Sequence, residues 1–334
     1  MDILIKSFNR PYYLDRCLQS IYANVQDVTL FIKVLDDGTP SRYLEKIQLK
    51  YPDVVIYKSA FYNEKSKSIN ENQEIKSKNI PIDLWLNAAK GATDYFLLLE
   101  DDFWFTKTIN LENTQKILKE DNINLLKLIW LNNPKLIRGE TLKIRDNITI
   151  YQPKFFTSKP LQHRLIFGTT RYYLKEIMGF CGLYSKDKAL HYYSIYGVAG
   201  AVFKKDYFIN LWKKHENQVD ENLQLKNAVK YLHQNPNIQF ARTNKELVAT
   251  GFLSSAANKD FVVGDFDIFV FNKIINEAWL SDKFDVKNDF SQDLDISKIE
   301  SILSQESNSR ATIKDWKKWS FLFKNQFQKI GCNI

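Results

Sequence analysis

The first hundred residues switch between two hydrophobic periods. Ile3-Leu4-Ile5 is a short apolar run that reads as a strand. Pro11 sits where a helix begins. Leu14, Cys17, Leu18 and Ile21 then follow at i, i+3, i+4 and i+7, giving one buried helical face. Residues 31–35 read as a second strand, closed by the polar turn Asp36-Asp37-Gly38-Thr39-Pro40. A helix over 41–50, a third strand over 54–57 and a helix over 82–89 continue the alternation. Residues 63–80 are polar, rich in Lys, Asn, Ser and Glu, and read as a mobile loop. Residues 95–99 are an apolar run suited to a central parallel strand covered on both faces, and they lead directly into Glu100-Asp101-Asp102.

Beyond residue 105 the pattern loosens. Residues 125–200 mix short strands with loops rich in Tyr, Lys and Arg, and Gly200-Ala201-Val202-Phe203 reads as a small strand. Leu225, Ala228, Val229 and Leu232 mark a helix after Asp220-Glu221. The last fifty residues read as helical, with a boundary between 260 and 280. The expectation is an α/β chain: a central, mostly parallel sheet flanked by helices, with a helical C-terminal appendage over 261–334.

Composition narrows the class. At 334 residues, 44% hydrophobic and 26% charged, the chain can bury a sizeable core and does not resemble a disordered one. Cys17, Cys181 and Cys332 are far apart and form no CxxC or Cys/His cluster, so neither a disulfide framework nor a zinc site is expected. Residues 1–6 lack the basic-then-apolar pattern of a signal peptide, and no apolar run approaches the ~18 residues of a membrane span. The expected location is cytoplasmic. The net charge of +8 is uneven: 261–300 is acidic, whereas 301–334 is basic. In that tail Ile313, Trp316, Phe323, Phe327 and Ile330 recur at helical spacing, with lysines interleaved. Such a helix serves either peripheral contact with the inner face of a membrane through 310–330 or docking on the protein's own core. No nucleic-acid motif accompanies the charge, so nucleic acid is not an expected partner.

The candidate chemistry lies in the acids. Asp36-Asp37 and Glu100-Asp101-Asp102 both follow strands, and ligands of open α/β sheets bind beyond the carboxyl ends of the strands. Three adjacent carboxylates repel one another. A divalent cation, Mn²⁺ or Mg²⁺, would relieve that repulsion and bridge diphosphate oxygens; alternatively, the acids simply end the strand in water.

Together these segments resemble family 2 and related GT-A glycosyltransferases. Residues 3–10, ILIKSFNR, resemble the opening strand and its Thr/Ser-x-Asn-Arg turn. VLDDGTP at 34–40 resembles the nucleotide-holding Asp-Asp-Gly-Ser turn, and LNAAKGATDYFLLLEDDFWF at 86–105 resembles the segment leading into the DxD motif, here Glu-Asp-Asp. The resemblance implies a GT-A-type nucleotide-diphospho-sugar transferase fold. The catalytic domain would span 1–260, with a nucleotide- and metal-binding half over 1–105 and an acceptor-side half over 106–260. It also implies residue roles. Asp36 would accept a hydrogen bond from the base, with Asp37 nearby. Ser7 and Asn9 would shape the nucleotide pocket, Arg10 would contact base or phosphate, and Asp101 would lie near the ribose. Asp102 would be the principal metal ligand, joined by Glu100. The donor would be a UDP- or GDP-linked sugar, and the acceptor a glycan or lipid-linked molecule.

YGVAGAVFKKDYF at 196–208 resembles the family's acceptor-side strand and helix, and VDENLQLKNAVKY at 219–231 its Glu-Asp segment. A carboxylate there takes the acceptor proton in inverting members, which makes Asp220, then Glu221, the candidate base. Both acids equally suit the start of a helix. The family's basic residue upstream of the acidic motif has no clear counterpart; Lys76 or Lys78 are stand-ins. His191, His215 and His233 are minor candidates for a further metal ligand. Trp104 suits sugar stacking or packing beneath the acidic loop, and Tyr192, Tyr193 and Tyr196 suit an acceptor pocket or the core. The expected activity is non-processive, inverting, metal-dependent glycosyl transfer. The rival enzyme is a sugar-1-phosphate nucleotidylyltransferase, disfavoured because Ser7-Phe8-Asn9-Arg10-Pro11 contains no glycine. The non-enzyme rival is a basic membrane-surface or polyanion-binding protein.

Overall fold

The computed structural model describes residues 1–26, 29–75, 79–155, 180, 185, 189–256, 261–286 and 289–334; Lys76, Lys78 and Cys181 lie outside the described residues. In chain order the N-terminal part runs β1 (Asp2–Ser7), α1 (Pro11–Asn24), β2 (Phe31–Asp36), α2 (Ser41–Lys50), β3 (Val55–Lys58), α3 (Tyr62–Asn70), α4 (Ile82–Lys90), β4 (Tyr95–Glu100) and β5 (Phe103–Phe105). Then come α5 (Leu111–Glu120), β6 (Ile123–Lys127), β7 (Gly139–Arg145), β8 (Ile148–Pro153), β9 (Ala201–Lys204), α6 (Lys205–Leu211), α7 (Glu221–Gln234), β10 (Gln239–Thr243) and β11 (Val248–Thr250). The chain closes with α8 (Ile268–Leu280), α9 (Ile296–Glu306) and α10 (Ile313–Gln328).

Among the described residues nine strands form one sheet, in the order β3-β2-β1-β4-β9-β6-β10-β8-β7. β1, β2, β3 and β4 are parallel neighbours, as the apolar runs predict. β9 is antiparallel to both β4 and β6, so the sheet as a whole is mixed. Along β4, Leu97 and Leu99 enter one core while Phe96 and Leu98 enter the other, which is why the run is unbroken. The result is a central mixed sheet flanked by helices with a C-terminal helical extension, consistent with a GT-A-like arrangement. Among the described residues no helix is long and apolar enough to cross a membrane.

The segment read as a loop over 63–80 contains all but the first residue of α3. Tyr62, Lys65, Ser66 and Ile69 are its buried residues, at i, i+3, i+4 and i+7. The helical period was present but carried partly by polar side chains, because Lys65 is buried on an ion pair. Gly38 lies beneath this helix at φ +138°, where an added Cβ would meet the Lys65 Cβ at 2.6 Å. The turn therefore needs glycine both for its backbone and for α3's approach.

The extension packs over α1 and shares its core. Ile268, Phe271, Ile275, Trp279, Trp316 and Trp319 join the cluster that contains Leu14, Leu18 and Ile21. Covered by the sheet on one side and by α8 on the other, α1 buries ten of its fourteen residues. The apolar face of α10 is spent on this core: Trp316 and Trp319 are buried, and Trp316 Nε1 donates to the Leu253 carbonyl at 2.9 Å. Lys314, Lys317, Lys318 and Phe321 face outward.

Lys127 ends β6 in the interior, where its ammonium donates to the Leu136 carbonyl at 3.1 Å. Burial pushes it down from 10.5 to about 7, against a smaller opposing pull from Glu246. Between those values the unfolded chain binds more protons than the folded one, so this group makes stability rise as pH climbs from about 7 to about 10. Lys127→Met is expected to flatten that rise. Urea unfolding of both proteins across that pH window checks it; identical slopes would contradict the assignment.

Candidate functional site

Strands β2 and β3 lie on one side of β1 and β4 on the other, so the chain reverses its direction of travel across the sheet between β1 and β4. Ligands of open α/β sheets bind beyond the carboxyl ends of the strands at such a switch point. A cleft of about 640 Å³ opens there. Its floor carries Lys6, Ser7 and Arg10 from the β1 end, Asp37 from the β2 end, and Glu100 and Asp101 from the β4 end. Phe8, Trp85 and Phe269 are among its apolar walls, and Lys65 of α3 reaches in from the side.

Each acid of the cleft floor meets a basic side chain. Lys6 and Glu100 are register partners on adjacent strands, and Lys6 Nζ donates to Glu100 Oε1 at 2.6 Å. The same ammonium donates to the Val198 carbonyl at 3.1 Å and lies 4.5 Å from the Trp85 ring centre. Arg10 holds two acids at once: one arm donates to Asp101 Oδ1 and the other to Asp102 Oδ2 at 2.8 Å. Asp101 Oδ2 also accepts from the Phe8 backbone at 3.0 Å. Lys65 donates to Asp37 Oδ2 at 2.5 Å and to the Asn79 carbonyl at 2.6 Å, and Ser59 caps the other Asp37 oxygen at 2.6 Å.

The negative charge is still not fully relieved. Burial pushes Asp101 up to about 7; Arg10 opposes the shift and Asp102 adds to it. Asp102 is raised by burial too, with Arg10 opposing and Glu100 adding. Burial likewise raises Asp37 against Lys65 and Ser59. Burial also works against Glu100, yet the charge and hydrogen bond of Lys6 together with the charge of Arg10 hold that carboxyl below the usual range. Asp102 Oδ1 is buried and has no hydrogen-bond partner among the described residues.

These features fit a cation of modest protein ligation. Among the described residues no three His, Cys, Asp or Glu side chains gather as a metal cluster. Mg²⁺-type sites often take one or two carboxylates and complete their shell with substrate phosphates and water. Asp102, whose orphaned Oδ1 is buried behind the cleft floor, and the partly open Glu100 are the two carboxylates that would contribute to such a set.

The structure brings Ser7, Arg10, Asp37, Glu100 and Asp101 to the cleft and places the other candidates around it. Asp36 is spent on its own turn, accepting from the Gly38 and Thr39 backbone at 2.9 and 2.8 Å and from the Thr39 hydroxyl at 2.6 Å. Asn9 takes φ 54° and is fully buried. Its backbone N–H donates to Thr39 Oγ1 at 2.8 Å, while Asn276 of α8 donates to its carbonyl at 3.2 Å. It thus pins the extension to the β1 turn. Asp102 lies behind the floor, on Arg10. Asp220 is the N-cap of α7, accepting from the Leu223 backbone at 3.1 Å. Glu221 accepts from the Tyr193 hydroxyl at 2.5 Å. Burial raises Tyr196 well above its ordinary value, with the charge of Glu221 adding, and its hydroxyl donates to Gln224 Oε1 at 2.6 Å.

His191 meets Arg138 at 3.0 Å and His215 meets Asp83 at 3.3 Å. Trp104 packs beneath the acidic loop, stacked on Tyr13 with its Nε1 on the Phe290 carbonyl at 2.8 Å. No motif in the sequence singles out Lys6, Lys65 or Trp85, although all three line the cleft. A lysine at the end of a buried strand was the one available signal, at Lys6.

The chain matches no known family profile. It also matches no curated protein. Solved structures similar to it include a fragment of S. aureus TarS in complex with UDP-GlcNAc, at 12% identity over 99% of this chain and 81% of that one, TM-score 0.41. Mannosyltransferase PcManGT from Pyrobaculum calidifontis, in complex with GDP-Man and Mn²⁺, is 10% identical over 99% and 75%, TM-score 0.38. Galactosyltransferase LgtC, with donor and acceptor sugar analogs, is 11% identical over 71% and 72%, TM-score 0.34. The chain spans 45% of a longer TarS chain. No residue's role transfers at these values.

Arg10 is the keystone of the acidic floor. Replacing it with Met leaves two buried carboxylates uncompensated, and a loss of about 3–5 kcal/mol in unfolding free energy is expected. Adding Asp101→Asn to that variant should recover part of the loss. Urea unfolding of the single and double variants checks both; a neutral Arg10→Met would contradict the electrostatic role.

Proposed function

We propose that the protein is a non-processive glycosyltransferase that moves a sugar from a nucleoside-diphosphate donor, UDP- or GDP-linked, to an acceptor hydroxyl of a glycan or lipid-linked molecule. The observation that carries this reading is the cleft itself. It lies at the β1–β4 switch point, combines incompletely neutralised carboxylates with fixed cations, and has aromatic walls suited to a base or sugar ring.

Asp102, with Glu100, would hold a divalent ion, Mn²⁺ or Mg²⁺, which would stabilise charge on the departing diphosphate. Lys65, fixed between Asp37 and the Asn79 carbonyl, orders the β2 end of the cleft where the nucleoside would sit. Arg10 keeps Asp101 and Asp102 in place, so that these acids need no reorganisation when the donor arrives. On the acceptor side Asp220 is engaged as a helix cap, so the base assignment moves to Glu221, whose carboxylate is oriented by Tyr193. A base on that side and direct attack by the acceptor hydroxyl correspond to inversion at the sugar carbon.

Thermal shift with a panel of nucleoside diphosphates and nucleotide sugars tests the donor claim. One nucleotide is expected to stabilise the wild type more with Mn²⁺ than without, and Asp102→Ala is expected to lose the Mn²⁺-dependent part. Glu221→Gln is expected to lower kcat by about 10²–10⁴-fold with nucleotide affinity unchanged. Asp220→Ala is expected to cost only ~1 kcal/mol of stability, as a lost cap does. A folded wild type that responds to no nucleotide would overturn the reading.

A further inference from the structure

The ion pairs of the cleft differ in one respect. Arg10–Asp101 has side-chain exposures of 5% and 2%, Arg10–Asp102 5% and 12%, and Lys65–Asp37 6% and 9%. In Lys6–Glu100 the lysine is 6% exposed but the glutamate is 33% exposed. Both partners of the first three pairs are enclosed, and separating them would strand a charge away from water. Glu100 alone can leave its partner and remain solvated.

Lys6 cannot follow it. Its stem is enclosed, its ammonium is held by the Val198 carbonyl, and the Trp85 ring covers it. If Glu100 turns away, a buried ammonium is left at the switch point facing the cleft, one of its counter-charges gone. A carbonyl and an aromatic face satisfy a cation only in part; an anionic oxygen satisfies it in full.

We infer that Lys6 is a phosphate-binding residue masked by Glu100, and that it exchanges this carboxylate for a diphosphate oxygen when a nucleoside diphosphate enters the cleft. This rests on the donor reading above and adds to it a residue and an order of charge. Glu100 released from Lys6 becomes available to a divalent ion, so the ion and the diphosphate each favour the same rearrangement. Binding of the two is then positively coupled, and by linkage the coupling is reciprocal. Lys65 and Arg10 stay on their own carboxylates and take no part in the exchange.

Calorimetry on the full chain tests this, using UDP and GDP, the matching nucleosides, and Mn²⁺ or EDTA. Lys6→Met is expected to weaken diphosphate binding at least tenfold in both Mn²⁺ and EDTA while leaving nucleoside binding unchanged. Lys6→Arg should retain most of the affinity. Glu100→Gln, which unmasks Lys6 without enlarging or emptying the site, is expected to tighten diphosphate binding in EDTA several-fold and to abolish its enhancement by Mn²⁺. Wild-type diphosphate affinity in Lys6→Met, or an equal loss of nucleoside and diphosphate, would overturn the inference. So would unchanged or weaker metal-free binding in Glu100→Gln, which decides the matter even if Lys6→Met does not fold. A wild type that binds neither diphosphate would instead sink the donor reading on which the inference stands.

Discussion

The structure turns on how negative charge is held at the carboxyl ends of two parallel strands, β2 and β4, on either side of β1. Asp36 and Asp37 end β2, and Glu100, Asp101 and Asp102 end β4, all within reach of the turn that follows β1. Like charges in an enclosed site raise one another's protonation and oppose folding unless compensated. The chain compensates with Lys6 of β1, Arg10 in the turn after β1, and Lys65 of α3. The balance is incomplete, which leaves the raised Asp101 and Asp102 and the unpartnered Asp102 oxygen.

That arrangement depends on parts far from the cleft. Asn9 holds the β1 turn in a left-handed conformation, and Asn276 of α8 reaches across to fix it. Tyr13 stacks on Trp104 and donates to Asp293 at 2.7 Å, while Asp293 accepts from the Phe252 backbone at 2.9 Å. The Gly251 backbone in turn donates to the Asp102 carbonyl at 2.9 Å. Through these links the extension steadies both the β1 turn and the acidic loop. Phe269 of α8 also forms cleft wall directly. The helical extension is therefore part of the site's scaffold, with its tryptophans turned inward.

Much of the N-terminal architecture was legible because its signals are local. The strand runs at Ile3-Leu4-Ile5 and at 95–99, and the α1 spacing of Leu14, Cys17, Leu18 and Ile21, each follow from burial over a single element. The positions of the acids at strand ends were legible for the same reason. What escaped was set by distance in sequence. Arg10 meets Asp101 and Asp102 across some ninety residues, and no local pattern encodes that. α3 was hidden because Lys65 faces inward for an ion pair with Asp37, which breaks the apolar signature of a buried face. Asp36 and Asp220 had local capping roles that their neighbours did encode, through Gly38-Thr39 and through the helix after 220.

In the proposed reaction a nucleoside diphosphate and a cation meet in the β1–β4 cleft. The most direct measurement is a crystal structure of the protein soaked with Mn²⁺ and the nucleoside diphosphate it binds, with Mn²⁺ located by its anomalous signal. An anomalous peak is expected against the Asp102 carboxylate, with diphosphate oxygens between that peak and the Lys6 ammonium. A nucleotide seated elsewhere on the molecule, or Mn²⁺ bound away from Glu100 and Asp102, would contradict it.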